Sequence, residues 1–112
     1  MLSVNNQTFS QTVLESPNPV LVHFWAPWCG LCLLINPLLS KVQTEWEGQL
    51  QVVSVNADEN FKLANTYQLK NLPTLILFNQ GHIIHRIEGF QGRDELIQTL
   101  RRVSLNALAQ SA

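Results

Sequence analysis

The apolar positions of this chain recur with two different periods, and these periods predict alternating strands and helices. Continuous or alternating apolar stretches are typical of strands that are buried on one or both faces. Such stretches occupy residues 20–25, 51–56 and 74–78. The turn Asn79-Gln80-Gly81 then predicts a hairpin that leads into a fourth strand at 82–88.

Helical spacing of apolar residues predicts four helices around these strands. The first begins at Thr8, which has capping-box spacing to Gln11. The second covers 32–45 and contains Pro37, where we expect a kink because a proline inside a straight helix costs about 3 kcal/mol. The third covers 60–67. The fourth is an amphipathic C-terminal helix whose apolar face consists of Leu96, Leu100, Val103 and Ala107.

Strands and helices alternate at first and end in a hairpin followed by a helix, which is typical of an α/β domain with helices on both faces of a mixed sheet. We expect a central mixed β-sheet of four to five strands flanked by about four helices. The 112 residues contain no repeat and no linker, so residues 1–112 are expected to form a single domain.

The charge content and the length of the apolar runs each exclude one class of function. Charged residues make up 13% of the chain, against about 25% in an average globular protein, and the net charge is −1. This balance leaves no basic footprint for a nucleic acid. No apolar run approaches the roughly 18 residues of a membrane span, and the first residues lack the pattern of a signal peptide. We therefore expect a cytoplasmic protein without nucleic-acid or membrane partners.

The two cysteines carry the clearest chemical signal. Cys29 and Cys32 follow a predicted buried strand and open a predicted helix, so a disulfide can close across one helical turn. Cys29 would lie beside unpaired N–H groups at the positive end of the helix dipole. Both effects favour the thiolate, which is the form that attacks another disulfide. Cys32, one turn further in, would then be placed to attack the mixed disulfide and release the product.

Other roles for the cysteines fit the pattern less well. A zinc site needs four ligands, and the spaced pair His82 and His85 points to opposite faces of a strand, so we expect no metal site. A purely structural disulfide would close too short a loop to stabilise the fold much. Two inert buried thiols remain an alternative, against which the Pro-Trp-Cys-Gly turn argues.

The segment FWAPWCGLC closely resembles the active-site segment of the thioredoxin family, usually written W-C-G-P-C. The resemblance spans nearly the whole chain and includes Asn56-Ala57-Asp58, Leu72-Pro73-Thr74, the NQG turn and Gly89. It implies a thioredoxin-like fold and a thiol-disulfide oxidoreductase in which Cys29 is the nucleophile and Cys32 the resolving thiol.

As the resemblance implies, the catalytic cycle needs no bound cofactor, because the electrons reside on the Cys29–Cys32 pair. The implied partners are disulfide-bearing target proteins and an external thioredoxin-type reductase, and we expect a monomer. Two alternatives stay open at this point. One is a less reducing disulfide oxidase or isomerase, and the other is a non-catalytic binding module that senses redox state.

The resemblance also assigns residues to the surface that binds substrates. Trp28 would flank the site and Trp25 would pack beneath it. Pro73 would be cis and face the cysteines, and the backbone of Leu72 would form strand-like hydrogen bonds with a substrate peptide. Gly89, near the end of the last strand, would belong to the same binding surface.

Three departures from the family affect function, and the first two, Leu31 and then His23 together with Ser54, bear on redox properties. Leu31 stands beside Gly30 where the family has proline; it restores an N–H and loosens the loop, so we expect a less reducing protein. His23 replaces a buried Asp, and it either accepts the proton of the resolving thiol or fills space as a neutral, hydrogen-bonded ring. Ser54 stands where a buried Lys often accompanies that Asp.

The third departure is Leu33, which replaces a common Lys and completes a wholly apolar run from Leu31 to Ile35. We expect Leu34 and Ile35 to pack in the core as ordinary helix positions. Leu31, and with it Leu33, should lie near the surface. An apolar residue exposed beside a reactive site predicts a docking patch for a partner.

Overall fold

The computed structural model describes the backbone of residues 1–89 and 92–111, with side chains up to Arg102. The predicted helix-face positions Val103 and Ala107 therefore lie outside the described side chains. The described part of the chain forms an α/β fold in which three helices pack around one mixed sheet.

Five strands form the sheet, in the order β1-β3-β2-β4-β5. β3 is parallel to both β1 and β2, whereas β4 is antiparallel to β2 and β5. The expected mixed sheet and its final hairpin are thus confirmed. The strands are β1 (Leu2–Ser3), β2 (Val20–Trp25), β3 (Gln51–Asn56), β4 (Thr74–Asn79) and β5 (His82–Ile87).

The helices cover both faces of this sheet. They are α1 (Gly30–Glu45), α2 (Phe61–Thr66) and α3 (Arg93–Ser111), preceded by one π-helical segment at Ser10–Leu14. Residues of α1 and α3 pack on one face around Leu21 of the central strand β2. The N-terminal segment and α2 pack on the other face, around Val22 and Phe24 of the same strand. Side chains of a strand alternate between faces, so each apolar stripe of β2 has its own helical layer.

The N-terminal region differs from its prediction in two ways. β1 was not predicted, because two residues carry no detectable period. Among the described residues, the hydrogen bonds of a capping box join Asn5 to Thr8 and not Thr8 to Gln11. The Asn5 Oδ1 atom accepts a hydrogen bond from the Thr8 N–H at 3.0 Å, and the Thr8 Oγ1 atom accepts one from the Asn5 N–H at 3.1 Å. Thr8 is therefore the inner partner of a capping box that begins three residues earlier.

Helix α1 begins at Gly30, two residues before its predicted start, and continues through Pro37. The placement of Leu34 in the core was wrong, since its side chain is 67% exposed, whereas Ile35 is 2% exposed. Consecutive helix residues are about 100° apart around the axis, so these two neighbours cannot share the narrow stripe that faces the sheet. That stripe consists of Cys32, Ile35, Leu38 and Leu39.

Candidate active site

Four loops meet at one end of the sheet. The parallel strands β2 and β3 both end there, with Trp25 opposite Asn56. The antiparallel strand β4 begins there, and β5 ends there with Ile87 opposite Leu75. Every site residue predicted from the sequence, except His23, lies in these loops or in the first turn of α1.

The two cysteines form a disulfide at the start of α1, with their Cα atoms 5.3 Å apart. Cys29 is the N-cap, and its Sγ atom accepts a hydrogen bond from the backbone N–H of Cys32 at 3.1 Å. Cys29 is 6% exposed and Cys32 is fully buried. An N–H donor and the positive helix end therefore act on the outer sulfur and favour a negative charge there, as the spacing predicted.

A cis peptide bond joins Leu72 to Pro73 directly before β4, which confirms the cis proline. Pro73 is buried and Leu72 is half-buried. Among the described residues, the Leu72 amide takes part in none of the turn, loop or cap hydrogen bonds. Gly89 has a φ of +68°, which favours glycine. If the β4–β5 register continued two residues past Leu75, Gly89 would lie opposite Pro73.

Trp28 is 70% exposed, but its indole is held in place. The Nε1–H group donates a hydrogen bond to the Asp58 carboxylate at 2.8 Å. Asp58 was not predicted as a site residue, although its position just after β3 places it beside the end of the parallel strand β2. The anchor fixes the orientation of a large exposed aromatic next to Cys29.

A groove of about 390 Å³ runs along this side of the site, and its walls include Trp28, Phe61 and Leu72. Phe61 is 71% exposed at the start of α2, where it lies off the helix face that carries the buried Leu63. Phe61 was not predicted as a site residue, although an aromatic residue outside the apolar stripe of a short helix is a signal that the sequence contains.

Leu31 is 38% exposed and Leu33 is 49% exposed, which confirms their expected surface positions. Together with Trp28, Leu34 and Phe61, they are five of the large apolar side chains that the described structure exposes. We call these five residues the apolar rim. Exposed apolar surface concentrated next to a reactive group is typical of a protein-binding site.

His23 lies on β2, between Ser54 and Leu75 of the neighbouring strands, and is fully buried. Burial lowers the pKa of His23 from 6.5 to about 4, and the nearby Asn36 side chain offsets a smaller part of this effect. The Asn36 amide does not meet hydrogen-bond geometry with the ring, and neither ring nitrogen has a partner among the described residues. The ring is neutral at pH 7, and the neighbour expected from the sequence to form a hydrogen bond with it does not do so within the described residues.

His82 and His85 are both exposed on β5. The described residues contain no cluster of His, Cys, Asp and Glu side chains that could hold a metal ion. Among the described residues, no helix is both long enough and apolar enough to cross a membrane.

A redox-active cysteine pair at a helix N-terminus, beside a cis proline at one end of a mixed sheet, defines a thiol-disulfide oxidoreductase with a thioredoxin-like fold. The family model described as Thioredoxin matches residues 1–102. The chain therefore belongs to the thioredoxin family of protein-disulfide oxidoreductases.

Individual relatives agree with this assignment. The chain is 41% identical to Thioredoxin 1 of Nostoc sp. over 99 residues, which cover 88% of this chain and 92% of that protein. It is 39% identical to thioredoxin of Mycobacterium bovis over 105 residues, or 94% of this chain and 90% of the relative. A chloroplastic M-type thioredoxin of Chlamydomonas reinhardtii is 38% identical over 100 residues, or 89% of this chain and 71% of the relative.

Proposed function

We propose that the protein reduces disulfides in target proteins, with Cys29 as nucleophile and Cys32 as resolving thiol. The observation that carries this proposal is the asymmetry of the pair. The Cys29 sulfur caps the helix and Cys29 keeps 6% of its surface exposed, whereas Cys32 is fully buried. A target can therefore meet only the first sulfur directly.

The exchange takes place in two steps. The Cys29 thiolate attacks one sulfur of the target disulfide, so that a mixed disulfide forms and the other target sulfur leaves as a thiolate, which takes up a proton. The Cys32 thiol then loses its proton and attacks the Cys29 sulfur, which releases the second target thiol. The target gains two electrons and two protons, and the protein is left with the Cys29–Cys32 disulfide. An external dithiol reductase restores the reduced pair, and no bound cofactor is required.

The target chain would bind across the apolar rim and the groove beside it. The unpaired amide of Leu72 offers a strand-like hydrogen bond to an extended segment, and Gly89 borders the same surface. Gly30 supports this arrangement, because a Cβ built there meets no described atom within 4 Å apart from its chain neighbours and the backbone of its own helix. The space beside Gly30 is therefore available to a partner.

We propose that His23 acts as a neutral core residue and not as the proton acceptor for Cys32. A ring whose pKa is about 4 carries a proton at pH 7 in only about one molecule in a thousand. Holding the proton of the resolving thiol on this ring would be costly, since burial disfavours the imidazolium.

The test of the proposed function is turnover. The reduced protein should catalyse reduction of insulin by dithiothreitol, and a redox titration should show one two-electron transition of the cysteine pair. A protein that binds targets without turnover would be the redox-sensing module considered above, and the proposal would be wrong.

We also propose that residues 1–112 form one domain, which is monomeric and cytoplasmic; gel filtration and cell fractionation test these points.

We expect Leu31→Pro to make the midpoint potential about 30 mV more negative. Proline removes one N–H near the sulfurs and stiffens the loop, and one hydrogen bond of about 1.4 kcal/mol corresponds to that shift in a two-electron couple. Proline is tolerated here because N–H groups in the first helical turn have no intrahelical partner. The control is Leu34→Ala, two residues after Cys32. This variant should leave the midpoint potential unchanged. An equal or more positive potential for Leu31→Pro contradicts the prediction.

We expect Phe61→Ser to lower kcat/KM for insulin by about fivefold, because an aromatic contact at an interface is worth about 1 kcal/mol. The rate at which reduced Cys29 reacts with iodoacetamide should not change, since Phe61 lies in the groove and not at the sulfur. Ile83→Ser is the matched control, because Ile83 is 49% exposed on β5. If both variants lose the same activity, the groove has no special role in target binding.

A further inference from the structure

A second groove lies between the C-terminal half of α1 and the start of α3. Its volume is about 80 Å³, well below the roughly 300–1,000 Å³ of pockets that hold small-molecule ligands. The floor is apolar and is formed by Leu38, Val42, Trp46, Ile97 and Leu100. We call this feature the α1–α3 groove. It has room for a single apolar side chain but not for a cofactor.

The rim of the α1–α3 groove is strongly basic. It consists of Lys41, Arg93 and Arg101, with Glu45 as the one carboxylate. Three of the seven Lys and Arg residues of the chain thus converge on one small groove, although the net charge of the protein is −1. Within the described residues, none of the four forms an ion pair within 4.0 Å. The lining of the groove therefore carries three positive charges and one negative charge, with no ion pair to any of them among the described residues.

This groove is separate from the thiol site. Lys41 follows Cys29 by twelve residues, which is about 18 Å along the axis of an α-helix. None of the residues that line the groove belongs to the apolar rim or to the four loops around the disulfide. The contacts that hold a partner in the α1–α3 groove would therefore not involve Cys29 or the residues around it.

We propose that the α1–α3 groove is a docking site for an acidic segment of a partner protein. The segment inserts one apolar side chain between the two helices and sets its carboxylates against Lys41, Arg93 and Arg101. Two observations select this occupant. The small apolar floor fits one anchor side chain, and the unpaired basic rim is complementary to carboxylates, which arginine binds in a bidentate manner. Three cations without a wider basic surface are too few for a nucleic acid.

The groove contains its own reporter, because Trp46 forms part of its floor. The chain has three tryptophans, so a ¹H–¹⁵N spectrum of the labelled protein shows three indole signals. The probe is the peptide acetyl-DEFED-amide, titrated into the millimolar range at low salt. The Trp46 indole signal should shift and saturate, whereas the Trp28 signal at the thiol site should not. Peptides acetyl-DEAED-amide, without the anchor, and acetyl-KKFKK-amide, with reversed charge, should bind at least about fivefold more weakly.

The matched variants separate the groove from general electrostatic attraction. Arg93→Gln combined with Arg101→Gln should weaken binding of acetyl-DEFED-amide by about fivefold, which corresponds to about 1 kcal/mol for the two exposed ion pairs together. Arg102→Gln removes an adjacent exposed cation that does not line the groove and should leave binding unchanged. The variant with both cysteines replaced by serine should bind as the parent does, so this result is independent of the redox function. No shift of Trp46, a shift of Trp28 alone, or equal binding of the basic peptide would each overturn the proposal.

Discussion

Replacing Cys29 with serine is expected to lower kcat/KM for insulin reduction by at least about a thousandfold, because a nucleophile that forms the covalent intermediate is being removed. Serine keeps the size of the side chain and can still accept the hydrogen bond from the Cys32 N–H at the start of α1. The loss should therefore come from the chemistry and not from the fold. Steady-state reduction of insulin by dithiothreitol measures the effect, and circular dichroism verifies that the variant is folded.

Cys32→Ser is the matched partner of this variant. It retains the attacking sulfur but removes the one that resolves the adduct, so turnover should also fall while a mixed disulfide accumulates on Cys29. Mass spectrometry of the trapped species identifies the sulfur that attacked. If Cys29→Ser retained normal turnover, or if the adduct formed on Cys32 of the unmodified protein, the assignment of the two roles would be wrong.

Replacing His23 with leucine is expected to make the protein more resistant to acid. The pKa of His23 is about 4 in the folded protein, against 6.5 in the unfolded chain. Between these values the unfolded chain binds more protons than the folded protein, so stability rises with pH and is lost as pH falls. The shift corresponds to about 3 kcal/mol, present in full above pH 6.5 and gone near pH 4. His23→Leu should remove that loss.

The measurement is the free energy of unfolding by urea between pH 4 and pH 7. The unmodified protein should lose about 3 kcal/mol more than the variant over this interval. The variant should also gain about 1–2 kcal/mol at pH 7, because it no longer buries two ring nitrogens without partners. His85→Leu is the control, since His85 is exposed and its replacement should not change the pH dependence. Parallel pH profiles for His23→Leu and the unmodified protein would contradict this explanation.

The same variant tests the proposed neutral role of His23. If the ring serves only as a core residue, the rate at which Cys32 resolves the mixed disulfide should keep its pH profile in His23→Leu. A slower resolution step with an altered profile, in a variant that is folded and stable, would restore the proton-acceptor hypothesis. Stopped-flow measurement of mixed-disulfide decay distinguishes the two outcomes.

Local patterns in the sequence determined most of the secondary structure and the centre of the site. The strand 20–25 and a helix over 32–45 were predicted from apolar period and turn residues alone, and the helix begins two residues earlier than predicted. These two elements place Cys29 at a helix N-terminus, where the disulfide is found. The cis state of Pro73 was predicted from the family resemblance, because an X–Pro bond by itself is cis in only about one case in twenty.

The predictions were wrong at positions where more than one residue fits the same local pattern. Thr8 has capping-box spacing to Gln11, but Asn5 has the same spacing to Thr8, and the reciprocal hydrogen bonds join Asn5 and Thr8. Leu34 and Ile35 are equally apolar, and only the direction in which α1 packs decides that Ile35 enters the core. Periodicity identifies a helix more securely than it identifies the face that the helix buries.

The tertiary structure alone decided which distant residues meet. Strand order and register bring the loops after Trp25, Asn56 and Ile87 to the end of the sheet where β4 begins, and so place the Trp28 indole on Asp58. Packing of α1 against α3 gathers three separate cations around one apolar groove. These arrangements depend on contacts between segments far apart in the chain, whereas sequence periods report only on neighbours within a few residues. The sequence therefore determined the reactive pair and its helix, and long-range packing determined the surfaces around them.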